Sequence, residues 1–205
     1  MSPRGRKQNE QMRGKAIDKI TKAALEVFAE YGYHGTTMKQ IAQATGFSYG
    51  LVYHYFPSKE KIFRQIIDSS LESSINATVM ILDMPGTAWE KIENLSDFLV
   101  REALTGDSFL HFLNVLQAMT QGKSIPGFLD YVAKKIETFY ETLAPIINRA
   151  QKSGEAVQGD PLVLAAAYFS FLQGLALLRV QGTGMEKKIT PEILTNVLRN
   201  GGQIR

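Results

Sequence analysis

The sequence predicts an all-α fold of about nine helices, an N-terminal three-helix unit with a helix-turn-helix followed by a C-terminal helical domain. Three observations carry this. Apolar residues recur at helical spacing from Lys15 onward, no stretch alternates as a half-buried strand does, and clusters of glycine, proline and serine interrupt the pattern at intervals of one helix length.

The first amphipathic segment carries Ile17, Ile20, Ala24, Phe28 and Tyr31 on one face and stops at Gly32. Thr36 and Thr37 then offer an N-cap, and Gln40, three residues after Thr37, completes a capping box for Met38, Ile41 and Ala42. This second helix closes at Thr45-Gly46, where glycine accepts the left-handed conformation that turns the chain sharply. Ser48 caps a third short helix, with Leu51, Val52 and Tyr55 expected inward, and Pro57 ends it. A long fourth helix starts at Ser58 and runs to Leu82. Further helices are expected over 88–104, 108–121, 126–152, 161–180 and 191–200, separated by breaks such as Met84-Pro85-Gly86 and Ser153-Gly154.

Composition bounds the function. With 205 residues and 44% hydrophobic content the chain can bury a full core. The absence of cysteine excludes disulfides, thiolate metal sites and cysteine nucleophiles. Met1 to Lys22 is polar and basic rather than a signal sequence, and no long uninterrupted apolar run is evident, so a cytoplasmic protein without a membrane role is expected. The net charge of +3 is unevenly placed: residues 1–65 hold eleven Lys or Arg against five Asp or Glu, and the remainder twelve against fifteen. A basic front on an acidic body fits a nucleic-acid-facing N-terminal unit, although a merely solvated basic tail has the same composition.

The stretch AALEVFAEYGYHGTTMKQIAQATGFSYGLVYHYFPSKEKIF resembles the DNA-binding segment of the TetR family of one-component transcriptional regulators. The likeness lies in the Gly32 helix end, the Thr36-Thr37 pair, Ile41-Ala42, Gly46 before Phe47-Ser48, the Tyr53-x-Tyr55-Phe56 run and Lys59 opening the next helix; it covers residues 15–62, about a quarter of the chain. It implies a helix-turn-helix domain with a basic N-terminal arm over 1–57 and a helical ligand-binding and dimerisation domain over 58–205. It further implies a repressor released from its operator by a small apolar or amphipathic effector, with an activator, or a ligand that promotes DNA binding, as the alternatives.

A helix fits the major groove of B-DNA, so the third helix is the natural reader of base edges, through Ser48, Tyr49, Gly50, Tyr53 and His54. Tyr53 can instead pack on the first helix, and for Tyr55 and Phe56 such packing is the preferred reading. Thr36, Thr37 and Lys59 suit phosphate clamping, with Lys39 and Gln40 beside the reading helix. Arg4, Arg6, Lys7, Arg13 and Lys15 form an arm that can follow the backbone or remain solvated. His34, His54 and His111 are isolated in sequence, so neither a metal nor a cofactor is expected.

One helix-turn-helix makes too small an interface for tight specific binding, so a homodimer on an inverted repeat of double-stranded operator DNA is expected. The resemblance places the interface on the last two helices, with Ala166, Phe169, Gly174, Leu178, Leu194 and Val197 as candidates; completing an internal core is the alternative for each. The middle helices offer Trp89, Phe98, Phe109, Phe112, Met119, Phe128, Tyr131 and Tyr168 as candidate ligand contacts, with core packing as the alternative. Glu102, Asp107, Glu137 and Glu141 would balance a cationic effector if they faced inward. The phosphate-binding, nucleophile-elbow and zinc-protease signatures are absent, which argues against an enzyme. An interaction protein without DNA binding and a sequence-independent architectural DNA binder are the other readings, and the basic N-terminal cluster argues against the first.

Overall fold

In a computed structural model, which describes residues 3–105 and 108–201, the chain is helical from Pro3 rather than from Lys15. Helix α1 (Pro3–Gly35) carries its buried stripe from Ile20 to Phe28, and the exposed turns before it are rich in Gln, Glu, Lys, Arg and Met, all good helix formers. Intrinsic propensity thus extends a helix that packing anchors further on. The expected end at Gly32 is present as a break inside α1, where Gly32 takes φ 69° and ψ 173°, a backbone region that L side chains resist.

Helix α2 (Met38–Thr45) starts from Thr37 with both halves of the capping box formed, and Gly46 ends it in the left-handed conformation. Helix α3 (Tyr49–Tyr55) is capped by the Ser48 side chain, which accepts from the Leu51 amide at 3.2 Å. Helix α4 (Lys59–Asp83) begins at Ser58 in the same way. Lys59 itself reaches back to the end of α1, where its ammonium donates to the carbonyls of Tyr33 (2.8 Å), His34 (3.3 Å) and Thr36 (2.7 Å) and lies 4.7 Å from the Tyr33 ring centre. Three N–H donors meet three carbonyls, so the lysine is a structural pin. Lys59→Met should therefore lower stability by about 1–2 kcal/mol, read as a drop in the thermal midpoint; an unchanged midpoint would show that water replaces the pin without loss.

The remaining helices are α5 (Ala88–Thr105), α6 (Ser108–Gln121), α7 (Phe128–Lys152), α8 (Pro161–Gln181) and α9 (Pro191–Asn196). Helix α9 ends four residues early because Leu198 and Asn200 leave the helix and pair with the α7–α8 connection, Val157 donating to the Leu198 carbonyl (2.8 Å) and Asn200 to that of Glu155 (2.9 Å). Helices α7 and α8 pair along their length, α6 lies on α1, and α9 packs against α5. One continuous core runs from Phe28 in α1 through Phe63 in α4 to Phe128 in α7, with ring centres 4.9 and 5.7 Å apart. The expected DNA-binding unit and body are therefore welded through the first turns of α4.

Helix α8 keeps the limits expected from the sequence to within one residue. Among the described residues it is the one helix long and apolar enough to cross a membrane, and only a third of its apolar stretch is buried. Leu162, Val163, Leu177 and Val180 stand exposed on it. An apolar helix with an uncovered side requires a partner surface.

Candidate nucleic-acid interface and ligand cavity

Helix α3 buries Val52 and presents Ser48, Tyr49, Gly50, Tyr53 and His54 to solvent, together with Leu51, expected inward but exposed. Seven residues give only two turns, so a single valine anchors the helix while Tyr55 and Phe56 pack into the core beside it. Tyr49 and Tyr53, one turn apart, hold their rings 4.6 Å centre to centre. The neighbouring Tyr53 hydroxyl pushes the Tyr49 phenol up from its usual value, so Tyr49 remains a neutral hydrogen-bonding group at physiological pH. Space is open where a Cβ would stand on Gly50.

Beside this face, Thr37 and Lys39 of the α2 start are exposed. Gln40 is half-buried, and its Oε1 accepts from the Thr37 amide (2.8 Å) and hydroxyl (2.7 Å), which leaves the amide nitrogen for an outside partner. Two expected phosphate ligands fall elsewhere. Thr36 is fully buried, its hydroxyl donating to the Gly32 carbonyl at 2.8 Å, and Lys59 spends its donors on the α1 carbonyls. Both positions hold the turn between α1 and α2 in shape. Arg13 and Lys15 are exposed on α1, while the side chains of Arg4, Arg6 and Lys7 lie outside the described residues. Gln43 and Ala44 are exposed at the end of α2.

In the body, helices α4 to α8 enclose a cavity of about 360 Å³, at the lower end of the usual range for small-molecule pockets. Of the residues expected to meet a ligand, Phe98 lines it, joined by Leu71, Ile75, Val115, Phe139 and Phe169. Its polar lining is Ser70, Ser73 and Ser74 from α4, Glu102 from α5, His111 from α6 and Lys135 from α7. The serines were missed; their signal was three small polar residues at helical spacing in an otherwise apolar helix face. His111, isolated in sequence, meets Ser70 Oγ with Nδ1 at 2.5 Å.

The other aromatic candidates are committed to the fold. Tyr168 is fully buried and its hydroxyl pairs with that of Ser96 at 2.8 Å; burial drives its phenol far above the usual value. Trp89 donates to Glu93 and lies under Arg199. Phe109 is stacked beneath Arg179, 3.9 Å from its guanidinium, Phe128 fills the α4–α7 junction, and Tyr131 donates to Asp68. Met119 is exposed and receives Gln173. Glu137 and Glu141 are exposed on α7; Asp107 and the Phe112 side chain lie outside the described residues.

Two interface candidates are corrected likewise. Phe169 faces inward against Phe139, with ring centres 5.0 Å apart, and Leu194 has no exposed surface because α9 folds onto α5. Phe169 keeps 7% of its surface exposed and Leu194 none. Ala166, Gly174, Leu178 and Val197 are half-buried.

Residues 20–66 match the family model described as bacterial regulatory proteins, tetR family. The chain is 30% identical over 141 residues to the HTH-type transcriptional regulator UidR of Escherichia coli (strain K12), covering 67% of each chain. It is 27% identical over 175 residues to the uncharacterized HTH-type transcriptional regulator YfiR of Bacillus subtilis (strain 168), covering 82% of this chain and 80% of that one. Its fold is that of the TetR family transcriptional regulator PfmR from Thermus thermophilus, with a TM-score of 0.74, 23% identity, and 90% of this chain and 99% of that chain covered. The exposed, two-capped helix-turn-helix and the helical body behind it are thus those of a known group of DNA-binding transcriptional regulators, and the chain belongs to the TetR family.

Proposed function

We propose that the protein is a homodimeric repressor that reads an inverted-repeat operator through α3 and leaves it when a small effector fills the α4–α8 cavity. The observation that carries this reading is the pairing of an outward reading face, Ser48, Tyr49, Gly50, Tyr53 and His54, with an apolar cavity whose α4 wall belongs to the same helix that pins α1 through Lys59. We divide the chain at Ser58: residues before it form the DNA-binding unit, and those after it the sensing and pairing body. Thr37, Lys39 and Gln40 take phosphates or outer bases. The half-buried Ala166, Gly174, Leu178 and Val197, with the exposed Leu162, Val163, Leu177 and Val180, supply the surface for a second copy. The protein regulates without catalysis, in the cytoplasm where its operator lies.

Communication has a second route through α6. Asn114 Nδ2 donates to the Leu25 carbonyl (3.2 Å) and Gln117 Nε2 to that of Ala29 (3.3 Å), while His111 and Val115 of the same helix line the cavity. A shift of α6 on ligand entry would therefore be felt by α1. By linkage, whatever factor the effector takes from operator affinity, the operator takes from effector affinity.

Selection of bound fragments from genomic DNA, followed by footprinting at two salt concentrations, tests the reading. An enriched inverted repeat with both halves on one face of the duplex is the expected result. Retention of all fragments alike would assign the protein to sequence-independent DNA binding, and retention of none would remove the DNA-reading role.

A further inference from the structure

The cavity holds an uneven supply of hydrogen-bond donors. Ser74 donates to the Ser70 carbonyl at 3.0 Å, and Ser70 to that of Ile66 at 2.6 Å. Each hydroxyl has one hydrogen, and Ser70 Oγ is further occupied by His111 Nδ1 at 2.5 Å, so Ser74 shows a ligand only its oxygen lone pairs. Glu102 already has an interaction partner. Lys135 differs: among the described residues its ammonium makes one hydrogen bond, to Glu72 Oε1 at 3.0 Å, out of three it can make, and it lies 5.9 Å from the Tyr131 ring centre. That carboxylate is 60% exposed, and an ion pair so open to water is held weakly. The pairing with Glu72 also keeps the Lys135 amine above its ordinary value, hence charged.

Lys135 and Glu72 form the last rung of a ladder between α4 and α7. Successive turns of α4 carry Arg64, Asp68 and Glu72. Arg64 lies over the Phe128 ring at 4.7 Å, Asp68 accepts from the Tyr131 hydroxyl, and Glu72 takes Lys135. The same helix opens at Lys59, which fixes the end of α1 next to the DNA-reading unit.

We propose that the effectors are small amphiphiles bearing a single anionic group, with the apolar tail among Phe98, Phe139 and Phe169 and the acid on Lys135 in place of Glu72. This rests on the reading of the cavity as the effector site. A bare acid group suits an ammonium with two unused donors, and Ser73, which lines the same wall, adds a hydroxyl donor. Once the ligand's acid holds Lys135, Glu72 faces a second negative charge, the last rung opens, and α4 is freed to move relative to α7. Operator affinity then falls.

Three eight-carbon probes separate the contributions: octanoate, octanol and octyltrimethylammonium, each titrated calorimetrically into the full-length protein. Octanoate should bind at least tenfold more tightly than the other two and should release the protein from its selected operator. Lys135→Met should bring octanoate to the affinity of octanol while leaving octanol unchanged. Glu72→Gln, which removes the competing carboxylate, should tighten octanoate several-fold, a gain that misfolding cannot produce. Octanol or the quaternary ammonium binding as tightly as octanoate would overturn the anionic assignment and leave the cavity as the effector site. Failure of all three probes to bind would overturn both readings, and an unchanged octanoate affinity in Glu72→Gln would overturn the exchange of partners at Lys135.

Discussion

Carboxylates placed on the outer face of α8, as Val163→Glu with Leu177→Glu, are expected to convert the dimer to a monomer and to lower operator affinity about a thousandfold or more. The two positions are fourteen residues apart, two heptads on one helix face, and both side chains are exposed in the single chain, Val163 at 64% and Leu177 at 45%. Between them the half-buried Ala166 and Gly174 and the exposed Ala167 and Ser170 allow close approach of a second helix. A two-fold axis repeats each substitution, so the crossing would gather four buried negative charges without counterions. Neither residue is among the buried residues of the protomer's core, so the helical content of the monomer should survive. The thousandfold figure follows from the gap between specific and non-specific DNA binding, about 10³ to 10⁷, most of which is lost when one half-site must hold the protein alone. Light scattering and gel shift read the two effects together. A variant that remains dimeric would move the interface off this face, and a monomer that keeps full operator affinity would remove the need for a dimer.

Local chemistry made the front of the protein legible. The Thr37–Gln40 capping box, the Gly46 turn and the Ser48 cap are signals written within four residues, and the structure forms each of them. The same text could not show that Lys59 reaches back across 23 to 26 residues to three carbonyls, because those partners are set by how α4 crosses α1; the inward turn of Thr36 to the Gly32 carbonyl, by contrast, is a local contact that sequence reasoning missed. Helix limits in the body were nearly right wherever a proline or glycine marked them. They failed at residues 197–200, where pairing with residues 155–157 outweighs local helix preference. The cavity was the least legible part. Large apolar residues fill cores and line pockets alike, and Tyr168, Trp89 and Phe128 all went to the core. The polar residues that distinguish this cavity, Ser70, His111 and Lys135, come from three helices whose facing is a tertiary fact.

Loss of the reading face should separate base recognition from charge. Tyr49→Ala is expected to cost about 1–3 kcal/mol per half-site, and therefore twice that on a symmetric operator, with little change in binding to unrelated DNA. Tyr53→Ala should behave similarly, because the two rings support one another at 4.6 Å. Lys39→Ala, by contrast, should weaken all sequences alike and flatten the dependence of log affinity on log salt by about 0.9 per lysine. The sharpest separation lies at Gly50. A Cβ there meets nothing within 4 Å, and alanine is favoured over glycine in helices by up to about 1 kcal/mol, so Gly50→Ala should raise the thermal midpoint slightly. If α3 lies against the groove with its backbone close to the bases, the same methyl must be accommodated at the DNA, and operator affinity should fall while stability rises. Gel shifts on the selected operator and on a scrambled duplex, at two salt concentrations, distinguish these outcomes. Equal losses on both duplexes for Tyr49→Ala would assign α3 to backbone contact, and an unchanged operator affinity for Gly50→Ala would place this turn of the helix away from the groove floor.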